Sequence, residues 1–231
     1  MKNIAVILAG GTGSRVGGVL PKQFIEVLGM PVIAYSIEAF EKHSGIDEIA
    51  LVIHPSFMEM WNSIAKKHQW KKVSKILNGG AQRSDSTLAA LQAYSSANEA
   101  NMLFHDAARP LVSRLIIDDT LRALEQYTAV TAAVTISDTV LQTDNEQQTI
   151  AQIPSRSLFR RVQTPQGFKL SVIREAYALA VTDTDFTATD DCGVVHKYLP
   201  HVKIGLVEGD ERNFKITRSQ DLQLMEHLLM Q

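Results

Sequence analysis

The sequence lacks the features that mark several large classes of protein. It has one cysteine, Cys192, among 231 residues, so no disulfide can form within the chain, as is typical of a reducing cytosol. The 23 basic and 25 acidic residues leave a net charge of −2, so no basic field favours nucleic acid. No run approaches the ~18 apolar residues that span a bilayer. We therefore expect a cytoplasmic protein with neither a nucleic-acid nor a membrane partner.

The sequence also lacks the motifs of two common catalytic strategies. Its seven histidines show no H-x-x-x-H spacing, which a zinc pair on one helix requires. No G-x-S-x-G segment, typical of a serine nucleophile, is present. Internal repeats, low-complexity tracts and flexible linkers are absent as well. With 45% hydrophobic residues, the chain is expected to fold as a single domain, 1–231, around a sizeable core.

Short apolar runs alternate along the chain with segments of helical period. The runs predict strands at 3–8, 48–53, 73–77, 101–105, 129–136 and 202–208. The segments between them predict helices at 32–42, 56–68, 84–93, 113–127, 170–180, 190–198 and 219–230. This order predicts an α/β fold, with a mostly parallel sheet and helices on both faces. Ligands are expected at the carboxyl ends of the strands.

One segment, 137–163, interrupts this alternation. It is polar, and residues 144–148 have the composition of a turn between two short stretches of strand-like sequence, 139–141 and 149–153. The pattern predicts a β-hairpin that projects from the domain. A projecting segment of this length is often functional or forms an arm for oligomerisation.

A glycine-rich turn follows the first predicted strand. The motif AGGTGSR occupies residues 9–15, and PKQF follows at 21–24. The spacing fits neither a Walker A loop, which needs Lys where Val19 stands, nor a dinucleotide fingerprint, which needs Gly where Val16 stands. Backbone N–H groups of such a turn bind phosphate, and the added cations Arg15 and Lys22 favour a highly charged anion such as a nucleoside triphosphate.

Three further polar clusters follow predicted strands or begin helices. In HDAARP, 105–110, Asp106 is placed to hold a divalent cation and Arg109 to reach an anion, although the two could also form a structural ion pair. In GGAQRSDS, 79–86, the backbone could bind a base or a phosphate, while Ser84 is also a helix cap. TDD at 189–191 has the composition of a helix N-cap followed by acidic residues.

Together these motifs resemble one known family. The segments at 9–15, 21–24, 79–83, 105–110, QTPQ at 163–166, TDD at 189–191 and NFKIT at 213–217 occur in the order found in 2-C-methyl-D-erythritol 4-phosphate cytidylyltransferases. Ribitol-5-phosphate cytidylyltransferases share these motifs. The resemblance runs essentially end to end and implies a Rossmann-like nucleotidyltransferase fold. It also implies CTP and a polyol phosphate as substrates, Mg²⁺ as cofactor, and a homodimer formed through the arm at 137–163.

The resemblance also implies roles for individual residues. Cations that act in catalysis would be Arg15, Lys22, Arg156 and Lys215, and Asp106 would hold Mg²⁺ and face the acceptor. Residues that line the CTP would be Ala9, Gly10 and Gly11, with Gly80 and Ser86 at the cytosine, and Leu8 and Arg83 would also bind substrate. The polyol phosphate would be held by Arg109, Thr139, Arg156, Thr164 and Thr189. The acceptor's phosphate would attack the α-phosphorus of CTP, so no side-chain nucleophile is required.

The identity of the acceptor stays open between two polyol phosphates. HDAAR at 105–109 resembles the methylerythritol branch, whereas the absence of a Lys after Thr139, the presence of Ala81 and the segment IPSR at 153–156 resemble the ribitol branch. We favour methylerythritol phosphate. Outside this family, an NAD(P)-dependent oxidoreductase and a non-catalytic nucleotide-binding module are the two alternatives, and the former lacks a ribose-binding acid at His54.

Overall fold

One sheet organises the part of the chain that the structure describes. The computed structural model describes residues 1–11 and 20–231. Within these ranges, seven strands form one sheet, namely β1 (Lys2–Ala9), β4 (Glu48–Ile53), β5 (Val73–Asn78), β6 (Ala100–Asp106), β7 (Ala129–Thr135), β10 (Arg160–Lys169) and β11 (Ile204–Glu208). Their order across the sheet is β11-β7-β10-β6-β1-β4-β5. All neighbours pair in parallel except β10, which is antiparallel to both β6 and β7.

Helices cover both faces of this sheet. They are α1 (Val32–Glu41), α2 (Met58–Lys67), α3 (Arg83–Ala93), α4 (Arg114–Ala123), α5 (Leu170–Ala180), α6 (Asp191–Tyr198) and α7 (Ser219–Leu229). Along β1, Ile4 and Val6 pack in one core with α3, α5 and α6, while Ala5 and Ile7 pack in the other with α1, α2 and α4. A strand buried on both faces needs apolar side chains at successive positions, which is why it forms a continuous apolar run. The predicted α/β architecture is confirmed.

The strand order places a crevice beside β1. The chain runs from β1 outward to β4 and β5, and then returns to pair β6 with the other edge of β1. In that pairing Leu8 lies opposite Asp106, so the carboxyl ends of both strands meet. Such a reversal of strand order opens a crevice where ligands bind in α/β sheets. The sites predicted after the first strand and at HDAARP therefore share one edge of the sheet.

The antiparallel strand β10, which lies between β7 and β6, is absent from the prediction. Residues 160–163, which the sequence pattern assigns to the projecting arm, belong to β10, and residues 160–162 pair with β7. The sequence pattern conceals this strand because Gln163, Thr164, Pro165 and Gln166 interrupt any apolar run. The pairing register shifts between Val162 and Gln166, so a β-bulge accommodates these residues.

Two small antiparallel sheets complete the described structure. The strands β2 (Glu26–Val27) and β3 (Met30–Pro31) pair beside α1, and β8 (Gln142–Thr143) pairs with β9 (Ile150–Gln152) in the projecting segment. The turn between β8 and β9 is closed by the Asp144 carboxylate, which accepts hydrogen bonds from the backbone N–H of Gln148 at 2.9 Å and of Thr149 at 3.2 Å. No helix among residues 1–11 and 20–231 combines the length and apolar character needed to cross a bilayer.

Candidate active site

A cleft of about 430 Å³ opens at the carboxyl ends of β1 and β6. Its described lining comes from the end of β1, the segment after Pro21, the start of α3, the end of β6 and the loop before α7. The lining residues are Leu8, Ala9, Gly10, Gly11, Lys22, Gln23, Gly80, Ala81, Gln82, Arg83, Ser86, Asp106, Ala107, Ala108, Lys215 and Thr217. Segments far apart in the sequence therefore contribute one polar, cation-bearing cleft, of the size that small-molecule ligands occupy.

Two glycines allow the end of β1 to approach the start of α3. A Cβ at Gly10 would lie 2.5 Å from Ser86 Oγ, and a Cβ at Gly79 would lie 3.0 Å from the Cα of Gly10. A side chain at either position would force these segments apart. The glycines thus bring bare backbone to the cleft wall, as close binding of a nucleotide requires.

The segment at 21–24 fixes the backbone at the end of β1. A short 3₁₀ turn begins after Pro21 and buries the Gln23 side chain. The Gln23 amide donates hydrogen bonds to the carbonyl oxygens of Ala9 at 3.2 Å and Gly11 at 2.8 Å. The adjacent Lys22 Nζ donates to the carbonyl oxygen of Ile216 at 2.6 Å. This turn therefore links the end of β1 to the loop before α7.

Asp106 is the one acidic side chain among the described residues that line the cleft, and three cations face it. Lys215 Nζ lies 2.9 Å from Oδ2, Arg109 Nε lies 3.4 Å from Oδ2, and Arg83 Nε lies 3.7 Å from Oδ1. Burial raises the pKa of Asp106, but Lys215, Arg83 and Arg109 outweigh it and hold this pKa well below the usual range. Asp106 is therefore ionised, and its charge offsets part of a strongly positive cluster.

A buried network holds Arg83 at the cleft. Arg83 Nη1 donates to Asp191 Oδ2, and the Asp191 Oδ1 accepts from the hydroxyls of Thr87 at 2.8 Å and Tyr177 at 2.7 Å. Burial lowers the pKa of Arg83, but the charges of Asp191 and Asp106 outweigh it and raise the pKa above its ordinary value. Arg83 is thus a fixed cation between two carboxylates, with its orientation set from α6.

The bulge of β10 supports the opposite wall of the cleft. Thr164 is buried, and its Oγ1 accepts a hydrogen bond from the Asp106 backbone N–H at 3.0 Å and lies 3.0 Å from His105 Nδ1. His105 Nε2 lies 3.0 Å from the carbonyl oxygen of Arg109. A neutral imidazole protonated at Nε2 satisfies both contacts, because Nδ1 then accepts from the Thr164 hydroxyl. This network fixes the backbone on either side of Asp106.

We expect His105 to make the folded protein sensitive to acid. Burial lowers the pKa of His105 to about 4 from the 6.5 of an ordinary histidine, so the unfolded chain binds more protons between these values. The stability associated with neutral His105 is complete above pH 6.5 and is lost as the pH falls toward 4, by about 3 kcal/mol. The free energy of unfolding, measured with urea across this pH window, should depend less steeply on pH for His105→Gln than for the wild type.

A second buried histidine, His43, should also contribute to the pH dependence of stability. Burial also lowers the pKa of His43, so some pH dependence should persist in the His105→Gln variant. Replacement of the exposed His196 by Gln is the matched control and should leave the wild-type slope. An identical slope for His105→Gln and His196→Gln would contradict the prediction.

The cleft brings together most of the residues predicted for the site. Those that line it are Leu8, Ala9, Gly10, Gly11, Lys22, Gly80, Arg83, Ser86, Asp106 and Lys215. Arg15 lies outside the described residues. The roles of all these residues in binding or catalysis stay predictions.

Several predicted acceptor-side residues lie outside this lining. Thr164 directs its hydroxyl to the protein interior, and Arg109 Nη1 donates to the carbonyl oxygen of Asn213 at 2.9 Å. Thr139 is exposed on the projecting segment, where Arg156 Nη1 also donates to the carbonyl oxygen of Ser137. Thr189 is exposed just before α6. The cleft of the described chain thus gathers the predicted CTP side more fully than the acceptor side.

Sequence reasoning missed four buried polar residues that organise the site. Gln23, Gln163 and Asn213 stand inside motifs that carried the family resemblance, yet no role was assigned to them. Asp191 was interpreted only as an acidic residue in the first turn of a helix. Their position within motifs was the available signal, but their partners lie in distant segments, which spacing in the sequence does not reveal.

Comparison with known proteins places the chain in a well-defined group. A family model described as IspD: 2-C-methyl-D-erythritol 4-phosphate cytidylyltransferase matches residues 3–231. A 2-C-methyl-D-erythritol 4-phosphate cytidylyltransferase of Thermobifida fusca is 44% identical over 229 residues, covering 97% of this chain and 92% of that protein. A bifunctional ribulose 5-phosphate reductase/CDP-ribitol pyrophosphorylase, Bcs1 of Haemophilus influenzae, is 39% identical over 98% of this chain and 48% of its own length.

Solved structures give the same grouping. A 4-diphosphocytidyl-2C-methyl-D-erythritol synthase from Anaerococcus prevotii matches with a TM-score of 0.87 at 28% identity, covering 100% of this chain and 96% of that one. A 2-C-methyl-D-erythritol 4-phosphate cytidylyltransferase from Thermus thermophilus matches with a TM-score of 0.79 at 30% identity, covering 100% of both chains. The Rossmann-like nucleotidyltransferase fold expected from the sequence is confirmed.

Proposed function

The chain belongs to the family of 2-C-methyl-D-erythritol 4-phosphate cytidylyltransferases, and from this premise we propose that it transfers CMP from CTP to 2-C-methyl-D-erythritol 4-phosphate. The observation that carries the proposal is the cleft at the β1–β6 crevice. There a glycine-lined wall faces Asp106 and three cations. Such an arrangement suits a polyphosphate, since backbone N–H groups and fixed cations stabilise the charge that develops during transfer.

The reaction joins two anions without a covalent enzyme intermediate. A phosphate oxygen of the acceptor forms a bond to the α-phosphorus of CTP, and the bond from that phosphorus to the bridging oxygen of pyrophosphate breaks. Catalysis then consists of positioning the reactants in line and neutralising charge. Lys22 and Lys215 line the cleft and supply positive charge at the triphosphate, with Arg15 proposed to act beside them.

Asp106 is the proposed ligand of a magnesium ion. In the described part of the chain, no three histidine, cysteine, aspartate or glutamate side chains come together as a metal-binding group. A single carboxylate still suits Mg²⁺, which commonly binds one or two carboxylates together with substrate phosphates and water. When bound, the ion would neutralise negative charge on the phosphate oxygens. Because Lys215 already contacts Asp106 Oδ2 at 2.9 Å, Asp106 also keeps this cation at the cleft.

The projecting arm, which in the structure ends before β10 and so spans residues 137–159, is the proposed dimer contact. It exposes a group of large apolar side chains, namely Leu141, Ile150, Ile153, Leu158 and Phe159. A cluster of exposed apolar side chains is typical of an interaction surface. Thr139 and Arg156 also lie on this arm rather than in the lining of their own chain's cleft, so in a homodimer they would reach the acceptor from the partner.

We expect the Leu158→Asp variant to be monomeric. Leu158 is 81% exposed on the arm, and an ionised side chain there would have to lose its hydration in a dimer contact. Sedimentation velocity should give a monomer of 25.5 kDa for the variant and twice that mass for the wild type. The matched control is Leu206→Asp, since Leu206 is 67% exposed on the edge strand β11. A wild-type monomer, or a dimer in both variants, would contradict the proposed arm contact.

A ribitol phosphate acceptor is the second candidate. It is favoured by the 39% identity with the Haemophilus influenzae protein named CDP-ribitol pyrophosphorylase. Pyrophosphate release should be measured with CTP, Mg²⁺ and each of methylerythritol 4-phosphate, ribitol 5-phosphate and related polyol phosphates. Highest kcat/KM with methylerythritol 4-phosphate supports the proposal, and highest kcat/KM with ribitol 5-phosphate replaces it. The family membership argues against both a dehydrogenase and a non-catalytic module.

The proposed setting of this reaction is the cytoplasm. The single cysteine, Cys192, is buried and forms no disulfide. Proteins that fold in a reducing compartment do not depend on disulfides. Recovery of the native chain in the cytosolic fraction would support this location.

A further inference from the structure

We propose that Asn213 and Gln163 are positioning residues, which hold the loop between β11 and α7 so that the cations of the cleft face one reacting centre. This inference rests on the proposed cytidylyl transfer. The loop, residues 209–217, carries Lys215 and contributes Thr217 to the cleft lining. Neither Asn213 nor Gln163 lines the cleft, so both act through other residues.

Asn213 anchors the loop to the bulge of β10. It is fully buried, and its Nδ2 donates to the carbonyl oxygen of Thr164 at 2.8 Å and to Gln163 Oε1 at 3.1 Å. Gln163 Nε2 donates in turn to the carbonyl oxygen of Asp210 at 2.8 Å. The loop also passes close to this amide, because a Cβ at Gly209 would lie 2.5 Å from Gln163 Oε1. Two amide side chains therefore fasten the loop from one side.

The anchored loop contacts two cations and carries a third. The carbonyl oxygen of Asn213 accepts from Arg109 Nη1 at 2.9 Å, and that of Ile216 accepts from Lys22 Nζ at 2.6 Å. Between them, Lys215 Nζ lies 2.9 Å from Asp106 Oδ2. A shift of this loop would thus move an entire set of positive charges relative to the phosphates. Errors of about 1 Å in such geometry cost about 10² in rate.

The amide at position 213 is costly to bury, which argues for a specific use. Among the described residues, Asn213 Oδ1 is buried without a hydrogen-bond partner. An apolar side chain of similar volume would avoid that cost. The two hydrogen bonds from Nδ2 offset part of that cost. They hold the backbone of the loop to β10, and with it the Asn213 carbonyl oxygen that accepts from Arg109.

The test combines turnover with a structural measurement on the loop. Asn213→Leu keeps a side chain branched at Cγ but removes both N–H donors, and Gln163→Met removes the second amide while leaving Asn213 in place. For Asn213→Leu we expect kcat to fall about 10²-fold with KM for CTP changed by less than about threefold, because positioning matters most in the transition state. The kcat of Gln163→Met should also fall, by about tenfold.

Hydrogen exchange reports the loop without reference to activity. The Ile216 backbone N–H donates to the carbonyl oxygen of Ala108 at 2.8 Å. Its exchange should accelerate in Asn213→Leu and Gln163→Met. The control is Asn101→Leu, which removes a buried amide at the opposite end of β6, where Asn101 Nδ2 donates to Asn3 Oδ1 at 2.7 Å.

Three results would overturn the positioning role. They are wild-type turnover in Asn213→Leu, unchanged exchange at Ile216, or an equal loss of turnover in Asn101→Leu. If either variant does not fold, the other decides the outcome by the same two measurements. A wild-type protein without pyrophosphate release from any acceptor would refute the proposed function instead, and Ile216 exchange would still decide whether the two amides hold the loop.

Discussion

The Lys22→Ala variant is expected to turn over CTP about 10²–10³ times more slowly than the wild type, as when one transition-state donor is removed from an active site. Lys22 lines the cleft beside the end of β1, and its Nζ donates to the carbonyl oxygen of Ile216 at 2.6 Å. A cation held there lies beside the glycine-lined wall proposed for the triphosphate. In the proposed mechanism, its charge would neutralise part of the negative charge that gathers on the departing pyrophosphate.

The measurement is pyrophosphate release at saturating CTP and acceptor. Lys22→Arg retains the charge and should recover part of kcat, which a role in packing alone would not predict. Lys66→Ala is the matched control, because Lys66 is an exposed lysine on α2. Thermal unfolding of Lys22→Ala should stay close to that of the wild type. Normal turnover in Lys22→Ala would remove Lys22 from the proposed machinery.

The strands of the sheet differ in how clearly the sequence predicts them. β1 and β6 are buried on both faces, so their side chains form apolar runs that predict strands directly. β10 lies between β7 and β6 in the same sheet but contains Pro165, flanked by the polar residues Gln163, Thr164 and Gln166. Polar side chains replace the apolar pattern there because Gln163 hydrogen-bonds to the loop before α7 and Thr164 hydrogen-bonds to the end of β6. The strand that joins the two parallel parts of the sheet was therefore the one that periodicity could not predict.

The candidate site shows the same division. Phosphate chemistry, together with the meeting of parallel strand ends, predicts the glycines after β1 and Asp106, whereas the role of Lys215 is implied by the family resemblance. The pairing of Arg83 with Asp191, and of Asn213 with Thr164, joins residues far apart in sequence. No local pattern encodes such a contact. The sequence therefore predicts which charged residues are present at the site, and the structure shows which contacts fix their positions.

The arrangement around Asp106 leads to a second large effect. In the Asp106→Asn variant, Lys215, Arg83 and Arg109 lose the carboxylate they share. We expect CTP, measured by calorimetry without Mg²⁺, to bind about tenfold more tightly, since the cations then act on the triphosphate alone. We also expect kcat with Mg²⁺ to fall by about 10³ or more, because removal of the proposed metal ligand withdraws several kcal/mol of charge stabilisation.

Opposite changes in binding and turnover distinguish this role from simple damage to the fold. A disordered cleft would lower both CTP affinity and kcat. Removal of the carboxylate that the cations share should instead raise CTP affinity and lower kcat. Asp47→Asn is the control, because Asp47 is an exposed carboxylate at the other end of the sheet, bonded to the Asn3 backbone N–H at 2.7 Å. Weaker CTP binding in Asp106→Asn, or turnover like that of Asp47→Asn, would show that Asp106 neither restrains the cations nor serves the metal.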